Sequence, residues 1–344
     1  MASLLERKLI VVTGKGGAGK STIAGALGLL GTRRGLRTIV VEVGERSHLA
    51  ALYGRENGDS LDRDGDAGVP ALGAEIELEP GLWSLTLDPD AALIEWMRDL
   101  GGRLPARVLA SSTSFRYFAA AAPGAKELVS LIKLHDLSAA RDGSYDLVVL
   151  DAPATGHALA MLASPSTFTA IVRGGPLARR ASEVQQMVAD AGFSGYVAVT
   201  RATEMSVTET IELDRGLHER VERDLDAVVV NGTIARRFSA AELERIDMLA
   251  NRSAATVAVA RAAHAAAERA HTQRRQLARL RGLSFTDDGR AAGVLSVPFA
   301  FTPFVDREAL AKIATRLERQ LMPSLSSNPS SARQSRRTRT DRSR

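Results

Sequence analysis

Eight consecutive residues, Gly14-Lys15-Gly16-Gly17-Ala18-Gly19-Lys20-Ser21, fit the pattern G-x-x-x-x-G-K-[ST] without a gap. A loop of this kind does phosphate chemistry. Its glycines let the backbone curl until several N–H groups converge on phosphate oxygens, and a helix starting behind it adds the positive end of its dipole. The spacing predicts that Lys20 reaches the β and γ phosphates and that the Ser21 hydroxyl ligates Mg²⁺. Gly14 to Thr22 are the candidate phosphate site. Two polar residues far along the chain belong with it. Asp151 ends the apolar run Tyr145-Asp146-Leu147-Val148-Val149-Leu150, and Asn231 ends Asp226-Ala227-Val228-Val229-Val230. A polar residue at the C-terminal end of a parallel strand lies in the ligand crevice of an open sheet. There Asp151 is expected to orient a Mg²⁺-bound water or the attacking water. The chemistry these pieces suggest is nucleoside triphosphate hydrolysis, which needs positioning and charge neutralisation of the γ-phosphoryl group more than covalent catalysis.

The lysines single out the same loop. Of 45 cationic residues only six are Lys, and two of them, Lys15 and Lys20, lie within the eight-residue loop. In a chain that otherwise uses Arg, these positions call for a compact ammonium rather than a planar fork.

Composition bounds the rest. A chain of 344 residues with 45% hydrophobic content can bury one large α/β domain or two ordinary ones. Aromatics are only 4%, so Ala, Leu and Val carry the core. No stretch of 18 apolar residues suggests a transmembrane helix, and Met1 to Lys8 has no apolar run of the signal-peptide kind. A cytoplasmic location is expected. The absence of Cys excludes disulfides, thiolate zinc sites and cysteine metalloid sites. The formal charge of +5 is concentrated at the end: residues 324–344 hold six Arg against one Asp. The segment 323–344, rich in Ser and Arg, reads as a disordered tail. It is taken as a solvated end rather than as a membrane or nucleic-acid contact.

The elements that must position the site alternate. Strands are predicted at Lys8–Thr13, Arg37–Val43, Gly81–Pro89, Tyr145–Asp151, Phe193–Thr200, Asp226–Asn231 and Val294–Phe299. Helices are predicted behind the glycine loop, after Asp151 to about Ile171, from Pro176, over Ser206–Glu222 and over Asp306–Leu321. Residues 54–70 read as a surface excursion. A helical subdomain, or else an ordinary helical layer, is expected over about 90–141. Ser239-Ala240-Ala241-Glu242 is a capping box that opens further helices over about 239–281. This alternation argues for an α/β fold, a doubly wound and mostly parallel sheet flanked by helices, over residues 1–322.

The motifs also resemble a known family. The second lysine of the loop, Lys15, makes it similar to the deviant phosphate loop of dimeric ATPases, in which that lysine reaches across to the partner's nucleotide. Within that group the match is to the ArsA-like ATPases, the arsenical-pump and tail-anchored-protein targeting enzymes. Asp151-Ala152-Pro153-Ala154-Thr155-Gly156-His157 resembles their switch II. Leu82 to Pro89, Pro123-Gly124-Ala125-Lys126-Glu127 and Thr203 to Thr210 resemble further family segments. Val229-Val230-Asn231 looks like the strand whose Asn holds adenine, and Val297-Pro298-Phe299 like the adenine-side loop. The resemblance implies ATP and Mg²⁺ as ligands and Lys15, Lys20 and Asp151 as catalytic groups. It also implies a homodimer, or a heterodimer with a paralogue, serving a client protein that the sequence does not name.

The family's switch I is D-P-A-H, and here the segment is Glu42-Val43-Gly44-Glu45-Arg46-Ser47-His48. An ungapped alignment puts Gly44 at the Asp position, so Glu42 or Glu45 is the candidate for activating water, or hydrolysis is slow. Arg46 and His48 are read as surface or switch residues. Similar departures occur in bacterial ArsA-like proteins that work as pairs of paralogues, and the resemblance is nearest to the cysteine-free ones, so a weakly hydrolysing regulatory subunit is the alternative. A partitioning-type ATPase is a further one.

Overall fold

The computed structural model describes residues 4–44, 47–55, 73–101, 124–139, 145–171, 175–250, 253–283, 293–302 and 304–321. Eight strands form one sheet: β1 (Leu9–Gly14), β2 (Thr38–Val43), β3 (Ile76–Glu79), β4 (Leu82–Leu87), β5 (Leu147–Ala154), β6 (Ser194–Arg201), β7 (Ala227–Thr233) and β8 (Gly293–Pro298). Their order is β3-β4-β2-β5-β1-β6-β7-β8. All neighbours are parallel except β3, which runs antiparallel to β4 at one edge. The helices are α1 (Lys20–Arg33), α2 (His48–Leu52), α3 (Pro89–Gly101), α4 (Ala125–Ala139), α5 (Thr155–Ile171), α6 (Gly175–Ala189), α7 (Glu204–Val221), α8 (Ala240–Ala250), α9 (Ala254–Leu280) and α10 (Arg307–Leu321).

The continuous apolar runs are strands buried on both faces, as a parallel sheet requires. Successive side chains point to opposite sides. Leu9 and Val11 join a core with Ile39, Val148, Leu150, Val228 and Val230, covered by α3 to α7. Ile10 and Val12 join the other core with Val40, Val149, Val199 and Val229, covered by α1, α2 and α10. The central strand β1 is buried at all six positions, between β5 and β6. Its C-terminal end therefore opens onto the crevice with strands on either side.

Helix α1 lies tight on this sheet because its inner face is glycine. A methyl group on Gly28 would come within 2.6 Å of Val40, and one on Gly31 within 2.7 Å of Leu147. Helices α3 and α4 contribute Ala92, Leu93, Leu128, Val129 and Leu131 to the sheet's own core. Lys133 of α4 donates to Glu95 of α3 at 2.6 Å. Residues 102–123, the middle of the expected helical segment, lie outside the described residues, as do 56–72 and 322–344.

The predicted capping box forms. Ser239 N–H donates to Glu242 Oε2 at 2.7 Å, and Glu242 N–H donates to Ser239 Oγ at 3.3 Å. It starts α8, which pairs with the 27-residue α9. The root of α9 is fixed to the body. Gln273 accepts the Ile234 N–H just past β7 at 2.8 Å, and Arg279 donates to Thr208 of α7 at 3.0 Å. Farther out, His264 pairs with Asp247 of α8 at 2.8 Å.

Candidate nucleotide-binding site

The glycine loop leaves β1 and turns into α1 through three left-handed positions, Gly14 (φ 142°), Gly17 (φ 76°) and Gly19 (φ 96°). L-residues with a side chain rarely adopt such angles. Space demands glycine as well. A Cβ on Gly14 would lie 2.0 Å from the Val199 carbonyl oxygen, and one on Gly19 2.3 Å from Asn231 Nδ2. No side chain caps the start of α1. Its first backbone N–H groups are therefore open to an anion, with the dipole's positive end behind them.

The end of β5 meets this loop through Asp151. The Ser21 hydroxyl donates to Asp151 Oδ2 at 2.5 Å, and the Thr13 hydroxyl donates to the Pro153 carbonyl at 2.9 Å. Asp151 Oδ1 is buried without a hydrogen-bond partner. Burial pushes the Asp151 carboxyl up to about 6; the Ser21 hydrogen bond and Lys20 oppose the rise, and neighbouring Glu42 adds to it. Strand pairing sets Glu42 directly beside Asp151. An unanswered buried carboxylate oxygen beside a hydroxyl is a hard-oxygen donor set, and that suits Mg²⁺. Ser21 and Asp151, the latter through water, are the residues that would hold it.

A cavity of about 480 Å³ opens beside these groups. It is lined by Lys20, Ser21, Glu42, Val43, Gly44, His48, Asp151, Ala152 and Pro153. The switch I candidates fall differently within it. Glu45 lies outside the described residues. Glu42 is 3% exposed, and its carboxylate is already occupied. Oε1 accepts the His48 N–H at 2.9 Å; Oε2 accepts the Leu49 N–H at 3.2 Å and a short bond from the Ser47 hydroxyl. Ser47 in turn accepts the Ala50 N–H at 3.0 Å. Glu42 and Ser47 together therefore cap α2.

Lys15 is half-buried and forms an ion pair with Glu209 of α7 at 2.9 Å. On the opposite side of the loop, Asn231 Nδ2 donates to the Ala18 carbonyl at 2.9 Å. Pro298 ends β8. The Phe299 N–H donates to the Thr233 carbonyl at 2.9 Å, and its ring packs edge-on against Phe301 with centroids 5.0 Å apart. Arg237 lies over Phe301 at 5.6 Å. Asn231, Pro298 and Phe299 thus gather at the β7–β8 end of the same sheet edge, and Asn231 touches the loop. Sequence reasoning did not find the partner of Lys15, the short helix α2, or His48 on the cavity wall. Only the exposed polar spacing around His48 could have signalled the last.

Comparison with known proteins agrees with this geometry. The family model of the anion-transporting ATPases matches residues 7–175, from just before β1 to the first residue of α6. ATPase BagA of Mycobacterium tuberculosis is 27% identical over 251 residues, covering 69% of this chain and 68% of that protein. A putative arsenical pump-driving ATPase of Halobacterium salinarum is 27% identical over 237 residues, covering 66% of this chain and 35% of that protein.

Proposed function

We propose, for a chain that carries an ArsA-like ATPase domain and so hydrolyses ATP, that the reaction drives a two-subunit nucleotide switch. One observation carries the reading. The glycine loop, the uncapped start of α1 and the unanswered oxygen of Asp151 converge at one edge of the sheet, beside a cavity large enough for a triphosphate end. The phosphates of ATP would lie in Gly14 to Ser21, with Lys20 neutralising the charge that builds between the β and γ groups. Ser21 and Asp151 would hold Mg²⁺, which when bound adds Lewis-acid neutralisation of the phosphate oxygens. The adenine would lie toward Asn231, Pro298 and Phe299. Lys15 would leave Glu209 to reach the nucleotide of a second subunit, either a second copy or a paralogue. Nucleotide state would then be passed to a client protein in the cytoplasm. Among the described residues no helix is long and apolar enough to cross a membrane.

Purified protein with Mg²⁺-ATP is expected to release phosphate. Turnover should fall about 10²-fold or more in Lys20→Ala, the scale of losing one preorganised charge contact. Equal rates in wild type and Lys20→Ala would overturn the reading.

One observation favours a second reading, a slow nucleotide-binding subunit that regulates an active paralogue. Glu42, one of the two carboxylates that could stand in for the missing switch I Asp, is already occupied as a helix cap.

A further inference from the structure

Hydrolysis needs a group that takes a proton from the attacking water, and resting on the ATPase reading above, we infer that His48 fills this place with Glu42 as its positioning residue. Four titratable groups among the described residues line the cavity: Lys20, Glu42, Asp151 and His48. Three are committed. Lys20 is the cationic arm of the loop and has no proton-accepting role while charged. Asp151 accepts the Ser21 hydroxyl. Glu42 is buried and accepts the Ser47 hydroxyl and the N–H groups of His48 and Leu49. Removing its charge for a chemical step would uncap α2.

His48 differs on every count. It lies on the cavity wall, its side chain is 82% exposed, and Nδ1 is 3.5 Å from Glu42 Oε1. That carboxylate also fixes the His48 backbone N–H, so it holds the residue at two points. A buried carboxylate beside Nδ1 favours the tautomer that leaves Nε2 free to accept a proton. Glu42 on β2 contacts the imidazole, and Asp151 on β5 and Lys20 on α1 line the same cavity.

The balance of the step is complete. One O–H bond of water breaks and its proton moves to His48 Nε2. The water oxygen bonds to the γ-phosphorus. The bond from phosphorus to the β–γ bridging oxygen breaks, and its electrons leave with ADP. The imidazolium then releases its proton to solvent, which its exposure permits.

The test uses full-length protein and Mg²⁺-ATP, with nucleotide affinity measured separately. His48→Gln is expected to lower kcat about 10²-fold, the low end for a positioned base, with KM changed less than about threefold. In His48→Ala, added imidazole should restore turnover at least severalfold, a result that a merely structural role would not produce. Glu42→Gln should lower kcat with KM changed less than about threefold. The proposal is overturned if His48→Gln keeps wild-type kcat, or if added imidazole leaves the turnover of His48→Ala unchanged. A wild-type protein that binds ATP and releases no phosphate overturns both this proposal and the ATPase reading. Loss of turnover in Lys20→Ala alone, with His48→Gln unaffected, overturns only the present one.

Discussion

Ser21 Oγ and Asp151 Oδ2 lie 2.5 Å apart, joined by a hydrogen bond that ties the glycine loop to the end of β5. The other carboxylate oxygen is buried and unanswered. The site thus holds a carboxylate that is poorly solvated until a cation arrives.

A pH dependence follows for the ligand-free protein. The Asp151 carboxyl rises from its ordinary value of 3.8 to about 6 on folding, chiefly by burial. The native state therefore binds more protons than the unfolded chain between these values, and stability falls as pH rises through that window. Two pH units correspond to up to about 3 kcal/mol. Asp151→Asn should flatten this dependence and raise the melting temperature near neutral pH, while eliminating Mg²⁺-dependent turnover. Thermal melts from pH 4 to 8 with chelator present are the check. A variant less stable than wild type at pH 7.5 would contradict the account.

Glycine at two loop positions has different reasons and different expected failures. Gly14→Ala places a methyl group 2.0 Å from the backbone oxygen of Val199, inside the central sheet. Backbone cannot step aside as a flexible side chain can, so soluble yield should collapse. Gly19→Ala meets the Asn231 amide at 2.3 Å at a φ of 96°. It should cost about 1–3 kcal/mol of stability and remove binding of a fluorescent ATP analogue. Asn231→Ala added to Gly19→Ala should recover part of the stability, because the clashing atoms are gone.

Lys15 and Glu209 make a partly exposed pair, 30% and 39% accessible, at 2.9 Å. Such pairs contribute about 0.2–1 kcal/mol. Glu209→Gln should therefore raise turnover by about 1.5- to 5-fold if the lysine must leave to act. Lys15→Ala should lower turnover at unchanged ATP affinity. Rates measured against protein concentration give the check: in wild type the specific activity should rise with concentration, and in Lys15→Ala it should not.

Chelating divalent cations should abolish phosphate release yet leave weakened ATP binding, because the loop's N–H donors and Lys20 contact phosphate directly. Titrating Mg²⁺ back should restore rate in wild type and fail to do so in Ser21→Ala. Equal recovery of both proteins would remove Ser21 from the metal site.

Strands were legible where burial on both faces wrote a plain apolar run. β1, β2, β5, β6, β7 and β8 fall within a few residues of the positions expected from their sequences. Helix α8 was legible from its capping box. What escaped depends on partners far apart in the chain. β3 is a four-residue edge strand of mixed burial that exists by pairing with β4. α2 has five residues, too short to persist by its own propensity, and forms because Glu42 and Ser47 answer its free N–H groups. Lys15 and Asp151 stand out in the chain by type and position, but nothing local could show Glu209 facing one or Glu42 already engaged beside the other. Glu42 reads as a candidate base in the sequence; in the fold its carboxylate caps a helix.

Helix α9 has a mechanical consequence. Its 27 residues span about 40 Å. Its root is fastened at Ile234, three residues past Asn231, and at Thr208, beside Glu209. These are the two flanks of the phosphate loop. Its outer half packs against α8, and Met248 of α8 and Val259 of α9 are open to solvent. A tilt of about 5° at the root would sweep the far end by about 3 Å over such a length. Small shifts at the root would thus become several-fold larger at the far end.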